Sequence, residues 1–432
     1  MKKLYISILF AAFANFAIAQ SIDKIINSTE VERIERILSS DSMQGRRTFT
    51  PGIDKAADFI ASEFKRYGLQ YLNGLNNYRQ EFGMIKVKFI SAAGNLDGKQ
   101  LESKDIIAFT TQADIAITNN SGYEKMIIPA DSNFIRTALK YVESDKNYLL
   151  IVDSANATGF NRLKRFKRET FKKNNNVVFV LSATDPKNYQ LLIKHELSES
   201  KLANVVGVLP GNSKKDEYVI FSAHYDHLGI GKPDAKGDSI YNGANDDAAG
   251  TTAVIMLSKY FSQIKNNERT LIFVAFTAEE VGGFGSQYFS KQLPPDKVVA
   301  MFNIEMIGTE SKWGTNSAYI TGYERSDFGK ILQANLMNSK FHFEPDPYPK
   351  QNLFYRSDNA TLAALGVPAH TISTSKMEEA PNNEPNYHKQ SDEIGTLDMS
   401  NMAEIIKAIA ISSKTIVSGK DTPARIVKSQ QR

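Results

Sequence analysis

Cysteine is absent from the 432 residues of the chain, which excludes a disulfide framework and a lipid-anchored cysteine. An excess of charge of one sign is also lacking. The 52 Lys and Arg residues nearly balance the 48 Asp and Glu residues, and a net charge of +4 gives no reason to expect nucleic acid as a partner. No GxxxxGK[ST] phosphate loop occurs, so the glycines at 282, 283 and 285 are expected only to let the backbone turn tightly.

Long apolar runs are missing except at the start of the chain. Residues 1–19 read MKKLYISILFAAFANFAIA, with two lysines, an apolar segment too short to span a bilayer comfortably, and small residues at Ala17 and Ala19. This pattern predicts a signal peptide that is cleaved after Ala19. We therefore expect a secreted or periplasmic protein that has no stable membrane insertion after cleavage.

The sequence contains several histidines and paired carboxylates in short motifs, and these are its main candidates for catalysis or metal binding. They lie in SAHYDHLG, NGANDDAAG, FTAEEVGG, FNIEMIG and NYHKQSD, and the set comprises His224, Asp246, Asp247, Glu279, Glu280, Glu305 and His388. Imidazole nitrogens and carboxylate oxygens are the ligands that zinc prefers, at about 2.0–2.2 Å. His224 could serve one ion and His388 another, and Asp246 between them would neutralise two adjacent cations. The pair Glu279 and Glu280 would allow one carboxylate to bind metal while the other moves a proton.

The surrounding sequence predicts an α/β fold. EYVIFSAHYD, RTLIFVAFTAEE and VVAMFNIEMIG are short apolar runs typical of buried parallel strands, and the acidic start and helical period of DDAAGTTAVIMLSKYFSQI predict a helix. We expect a mixed, mostly parallel central sheet flanked by helices. The candidate ligands follow the carboxyl ends of the strands, where open α/β sheets place their ligand sites.

The region at 97–199 interrupts this pattern. IIAFT, ADIAITN, EKMIIPA, KNYLLIVDSA and NNVVFVLSA predict short strands, and the basic run LKRFKRETFKK at 163–173 predicts a solvated helix. The predicted organisation is a signal peptide at 1–19, a catalytic domain at 20–96 and 200–417, a smaller strand-rich α+β domain inserted at 97–199, and a polar tail at 418–432.

The ordered motifs resemble those of the zinc-dependent exopeptidases of peptidase family M28. The resemblance rests on AHYDHLG, YNGANDDAAGT, FTAEEVGGFGSQYF, NIEMIG, SDNATLAALGVPA and YHKQSDE, and covers most of residues 200–420. The segment at 38–69 is similar to the opening helices of the family. The location of the inserted domain is similar to that of a protease-associated domain, although no diagnostic motif is present.

The resemblance implies a role for each residue of the set. One zinc would be held by His224, Asp246 and Glu305, and a second by Asp246, Glu280 and His388. Glu279 would act as general base and acid, and Asp226 would orient the imidazole of His224. Asp247 would support Asp246, and Tyr387 would stabilise the oxyanion of the tetrahedral intermediate. Peptides are the expected substrates.

Two residues depart from the family pattern. Glu305 stands where related aminopeptidases usually carry aspartate, a carboxylate that also holds the α-amino group of the substrate. Asn359 follows the Ser-Asp pair where many relatives have histidine, which affects neighbouring or substrate contacts but no metal ligand. Of the remaining histidines, His195, His342 and His370 are interpreted as ordinary polar residues, and His227 lies in a motif without an obvious ligand position.

The favoured function is a secreted or periplasmic dizinc aminopeptidase. Three alternatives stay open at this point: a carboxypeptidase or dipeptidase of the same family, a glutaminyl cyclase with a single zinc, and a binding protein that has lost activity on the same fold. The metal content and the direction of peptide shortening separate these alternatives.

Overall fold

A computed structural model describes residues 22–130, 133–377 and 385–428. The predicted signal peptide and its cleavage position lie outside the described residues, as do residues 429–432 of the predicted tail. The chain forms two compact units. One contains the residues up to Glu81 and those from Leu202 onward, and the other is Phe82–Lys201. Among the described residues, no helix is long and apolar enough to cross a membrane.

The helices and strands are numbered in chain order. The helices are α1 (Ser28–Leu38), α2 (Pro51–Arg66), α3 (Phe134–Val142), α4 (Ala157–Leu163), α5 (Ala249–Ile264), α6 (Phe284–Ser290), α7 (Phe328–Asn335), α8 (Asn359–Ala364), α9 (Met399–Ser412) and α10 (Lys414–Val417). The strands are β1 (Arg79–Leu96), β2 (Lys99–Leu101), β3 (Ile106–Phe109), β4 (Asp114–Thr118), β5 (Glu124–Ile128), β6 (Tyr148–Asp153), β7 (Val177–Ser182), β8 (Tyr189–Leu209), β9 (Lys214–His224), β10 (Gly229–Ile230), β11 (Ile240–Tyr241), β12 (Arg269–Phe276), β13 (Val298–Ile304), β14 (Ser317–Ile320), β15 (His342–Pro345) and β16 (Ala369–Ser373).

A mixed sheet forms the centre of the first unit, as the sequence predicts. Its order is β15-β14-β16-β13-β9-β12-β8, followed by the start of β1. Strand β9 pairs in parallel with both β12 and β13, whereas β12 pairs antiparallel with β8 and β14 pairs antiparallel with β16. Every residue of β12 and β13 is buried. This explains why their sequences are continuous apolar runs without alternation.

Alternate residues of the central strands enter two separate cores, one on each face of the sheet. On one face the ring of Phe221 stacks on those of Phe273 and Phe302, with ring centroids 5.6 and 4.9 Å apart. On the other face Ile220 and Ile272 belong to a second apolar cluster. Both faces of the sheet are therefore covered, and the edge at the strand ends is left for polar side chains.

The helix after β9 starts later than the sequence predicts. The acidic pair was expected to open the helix, but α5 begins at Ala249, and Ala244–Ala248 form an irregular turn in which Asp246 and Asp247 have non-helical backbone angles. The carboxylate of Asp247 accepts hydrogen bonds from the N–H groups of Gly250 and Met306, both at 3.0 Å. Asp247 therefore connects the first turn of α5 to the segment that follows β13.

The second unit, Phe82–Lys201, contains a sheet of order β3-β7-β6-β5, together with the antiparallel pairs β1–β2 and β4–β8. The predicted strands are present, but the unit begins at Phe82 rather than at residue 97, because β1 is one continuous strand that already enters it. The prediction of a helix across 163–173 is wrong. Helix α4 ends at Leu163, and Thr170 instead exchanges backbone hydrogen bonds with Ile85.

Candidate metal centre

Three consecutive elements of the sheet bring the candidate ligands to one edge. His224 is the last residue of β9 and lies level with Phe276 of β12 in the parallel register. Glu279 and Glu280 come after β12, separated from its end by two residues, and Glu305 directly follows β13. Because these strands are parallel neighbours, their carboxyl ends meet at the same edge, as the sequence predicts.

Asp246 lies between the two predicted histidines. Its Oδ1 atom is 3.3 Å from Nε2 of His224, and its Oδ2 atom is 3.2 Å from Nε2 of His388. Each carboxylate oxygen thus faces a different imidazole. This is the arrangement of a carboxylate that bridges two cations.

The donor atoms fit zinc. Ligand atoms from His224, Asp246 and Glu305 all lie within 4.8 Å of one another, and Nε2 of His388 is 3.3 Å from Oε2 of Glu280. Two atoms bound to one tetrahedral zinc at about 2.0–2.1 Å are roughly 3.3 Å apart. In addition, Nε2 of His224 is buried and has no hydrogen-bond partner among the described residues. An unpaired buried nitrogen that faces carboxylates is suited to a metal.

His227 also belongs to the centre, although its motif predicts no ligand position for it. Its imidazole is fully buried, with Nδ1 2.8 Å from Oε1 of Glu280 and 4.0 Å from Oδ2 of Asp246. The ring lies against Gly243, where a Cβ atom would stand 2.5 Å from the imidazole carbons. Together His227, Asp246 and Glu280 form a second group with metal-ligand geometry.

The crowded carboxylates perturb one another strongly. Burial raises the pKa of Glu279 well above its usual value, and the nearby carboxylates of Glu305 and Asp358 raise it further. Burial likewise raises the pKa of Glu305 to about 7. Desolvation opposes the charge on His388, but Asp246 and Glu280 outweigh it and raise the imidazole pKa to about 10. The site therefore concentrates negative charge that bound cations would neutralise.

The two carboxylates of the Glu279–Glu280 pair have different surroundings. Burial raises the pKa of Glu280, but the imidazoles of His227 and His388 reverse this effect and lower it to about 2. Glu280 is therefore a fixed anion. The side chain of Glu279 makes no hydrogen bond with any residue that the structure describes, and its carboxyl group is free to exchange a proton.

Asp226 supports the site through different atoms from those expected. The backbone carbonyl of Asp226 lies 3.1 Å from Nδ1 of His224, whereas its carboxylate is 3.8 Å away. That carboxylate instead accepts hydrogen bonds from the backbone N–H groups of Glu279 at 3.1 Å and Glu280 at 3.3 Å. Asp226 thereby links the histidine on β9 to the pair after β12.

Two buried charged residues were missed from the sequence. The carboxylate of Asp392 accepts hydrogen bonds from the N–H groups of Asn245 at 2.9 Å and Asp246 at 3.0 Å. Arg46 is fully buried and donates to the backbone carbonyls of Tyr225, Leu38, Asn242 and Gly243. Both residues fix the loop that carries Asp246. The only signal in the sequence was that Asp392 lies four residues after His388. An acidic residue of an ordinary exposed loop could stand at the same position.

The remaining predicted residues have clear positions. The ring of Tyr387 stacks on the imidazole of His388, with centroids 3.9 Å apart, and lines the same cleft. Asn359 is buried and its amide donates to the carbonyls of Phe354 and Ala369. His370 is bound by Ser326 and Thr321, outside the metal centre.

Comparison with known proteins agrees with this geometry. The model of peptidase family M28 matches residues 204–412. Aminopeptidase YwaD of Bacillus subtilis is 28% identical over 110 residues, which are 24% of this chain and 22% of that protein. A probable zinc metalloprotease of Pyricularia oryzae is 29% identical over 113 residues, which are 26% of this chain and 22% of that protein. The matched segments thus span about a fifth of these curated relatives.

Solved structures resemble the chain over nearly its whole length. A zinc aminopeptidase from Bacillus subtilis has a TM-score of 0.54 at 15% identity, with 94% of this chain and 98% of that one covered. An aminopeptidase from Aneurinibacillus sp. strain AM-1 has a TM-score of 0.53 at 17% identity, with 95% and 98% covered. These likenesses establish the fold. Over residues 204–412, just under half of its length, the chain is similar to peptidase family M28.

Proposed function

We propose that this protein is a secreted or periplasmic dizinc aminopeptidase. The observation that carries the proposal is Asp246, whose two carboxylate oxygens each face a different imidazole, next to two groups of metal-ligand atoms that share it. Two groups of metal-ligand atoms favour the binding of two zinc ions. A glutaminyl cyclase, which uses a single zinc, is therefore the less favoured alternative. The signal-like sequence at 1–19 supports export.

His224, Asp246 and Glu305 would hold one zinc ion, and Asp246, Glu280 and His388 the other, with His227 beside the second. Bound zinc supplies Lewis-acid polarisation of the substrate carbonyl and lowers the pKa of water. The tightly paired Glu280 would stay ionised as a ligand.

Glu279 would move the proton. Burial raises its pKa above that of an ordinary carboxylate and so makes it a stronger base, which suits a group that accepts a proton and returns it to the departing amine. Burial and the neighbouring carboxylates raise the pKa of Tyr387, which therefore keeps its phenolic proton and can donate a hydrogen bond to a developing oxyanion. Glu305 would pair with the α-amino group of the substrate.

The Glu279→Gln variant tests this assignment. It should retain both zinc ions, measured by elemental analysis, and lose at least about a thousandfold in kcat on aminoacyl substrates because the proton acceptor is gone. The Glu143→Gln variant is the matched control, since Glu143 is exposed in the second unit. Full activity of Glu279→Gln, or loss of its zinc, would refute the role assigned to this residue.

A further inference from the structure

The cleft at the metal centre has a wall made of hydroxyl side chains. Tyr319 of β14 and Thr371 and Ser373 of β16 line it, together with Ser375 and Thr321. All five are buried, with at most 4% of their surface exposed. Tyr319 and Ser373 are direct partners in the antiparallel register, which brings their side chains to the same face of the sheet.

Three of these hydroxyls form a chain of hydrogen bonds. The phenol of Tyr319 lies 2.9 Å from Oγ of Ser375, which lies 3.1 Å from Oγ of Ser373. The Ser373 hydroxyl also has a longer contact, 3.5 Å from its Oγ to the carbonyl oxygen of Met306. When Ser373 instead donates to Ser375, and Ser375 donates to Tyr319, the phenolic proton is left for a bound molecule. Burial raises the pKa of Tyr319, so this group remains a donor.

A cation lies at the same cleft. Arg356 is the one arginine or lysine among the described residues that line it. Its guanidinium group makes no hydrogen bond or ion pair with any described residue, and its charge acts on the phenol of Tyr387. An exposed, unpaired arginine that lines the same cleft as hydroxyl donors is suited to binding a carboxylate.

We propose that this wall binds the side chain of the terminal substrate residue and selects glutamate or aspartate. The inference rests on the proposed function, because it assumes that a terminal residue is held at the metals. A side-chain carboxylate would accept hydrogen bonds from Arg356 and Tyr319. An aliphatic side chain would cover these donors without replacing their bonds to water, which is unfavourable.

Fluorogenic aminoacyl coumarins of glutamate, glutamine and leucine test the proposal with the zinc-loaded protein. We expect kcat/KM for the glutamyl substrate to exceed that for the other two by about tenfold to a hundredfold, the range of a charge-assisted hydrogen bond. In Arg356→Gln the ratio of glutamyl to glutaminyl cleavage should fall towards one. Lys350→Gln is the control, since Lys350 is exposed and lies outside the lining, and it should keep the original ratio.

Cleavage of the leucyl substrate as fast as the glutamyl substrate would overturn the selectivity and leave the aminopeptidase function intact. If no aminoacyl substrate is cleaved, the proposed aminopeptidase function is wrong. The preference of the cleft for an acidic side chain can then still be tested by measuring the binding of free amino acids. Calorimetric titration of the zinc-loaded protein with free L-glutamate and L-leucine should show tighter binding of L-glutamate, and this difference should vanish in Arg356→Gln. Equal or tighter binding of L-leucine would refute the proposal.

Discussion

Replacing Asp392 by alanine should loosen the loop that carries Asp246. The carboxylate of Asp392 accepts two hydrogen bonds, from the N–H groups of Asn245 and Asp246, and all three residues are buried. Alanine leaves both N–H groups unpaired, at about 1–3 kcal/mol each, or roughly 2–6 kcal/mol together. Asp392 is buried, and burial both raises its pKa and makes its negative charge unfavourable, so removing the charge offsets some of the loss. We therefore expect a loss of about 2–4 kcal/mol.

The free energy of unfolding of the metal-free protein in urea measures this loss. Zinc affinity, measured by competition with a chromogenic chelator, should also fall about 10–100-fold, because Asp246 is no longer held in place. Asp398→Ala is the matched control. Its carboxylate also accepts from two backbone N–H groups, those of Ser400 and Asn401, but it caps the exposed start of α9.

The control should lose only about 1 kcal/mol and keep its zinc affinity. A free energy of unfolding of Asp392→Ala within about 1 kcal/mol of that of the natural protein would refute the role of Asp392, because about 1 kcal/mol is the smallest cost of one unpaired group. Equal zinc affinities of the Asp392→Ala and Asp398→Ala variants would refute it as well.

Two further predictions concern the metal ligands. His227→Ala should weaken zinc binding at one of the two sites by about 10–100-fold, because Glu280 loses the imidazole 2.8 Å from its Oε1 atom. An unchanged two-site competition isotherm would contradict this role. Zinc binding at pH 7 should release protons, because neighbouring carboxylates raise the pKa of the His388 imidazole to about 10 and also raise that of His224, whereas zinc needs neutral imidazole. Calorimetry in two buffers of different ionisation enthalpy measures the release, and an identical apparent enthalpy in both would refute it.

The central sheet could be predicted because its strands carry a strong and simple signal. Strands β12 and β13 are buried along their whole length, so their sequences are uninterrupted apolar runs. The start of α5 could not be predicted, because acidic residues usually favour the first turn of a helix. Here Asp246 and Asp247 are bound to distant groups, and sequence position alone does not reveal those contacts.

The helix predicted for the basic run at 163–173 was wrong for a similar reason. Its composition suits an exposed helix, but backbone pairing of Thr170 with Ile85 competes with helix formation, and the two residues are 85 positions apart. Long-range hydrogen bonds of this kind leave no local pattern in the sequence.

The candidate ligands were predictable because strand ends concentrate functional side chains. His224, Glu279 and Glu305 each stand at or just after an apolar run. His227 and Asp392 were harder to assign, because their importance lies in contacts with residues far along the chain, His227 with Glu280 and Asp392 with the backbone of Asn245 and Asp246. Such contacts depend on loop geometry rather than on periodicity.

The most direct test of the central claim is digestion of one defined decapeptide by the zinc-loaded protein, followed by mass spectrometry. The same peptide with an acetylated N-terminus is the control. An aminopeptidase should remove residues one after another from the free N-terminus and leave the acetylated peptide uncleaved. Shortening from the carboxyl terminus, or cleavage of both peptides at the same rate, would contradict the aminopeptidase function.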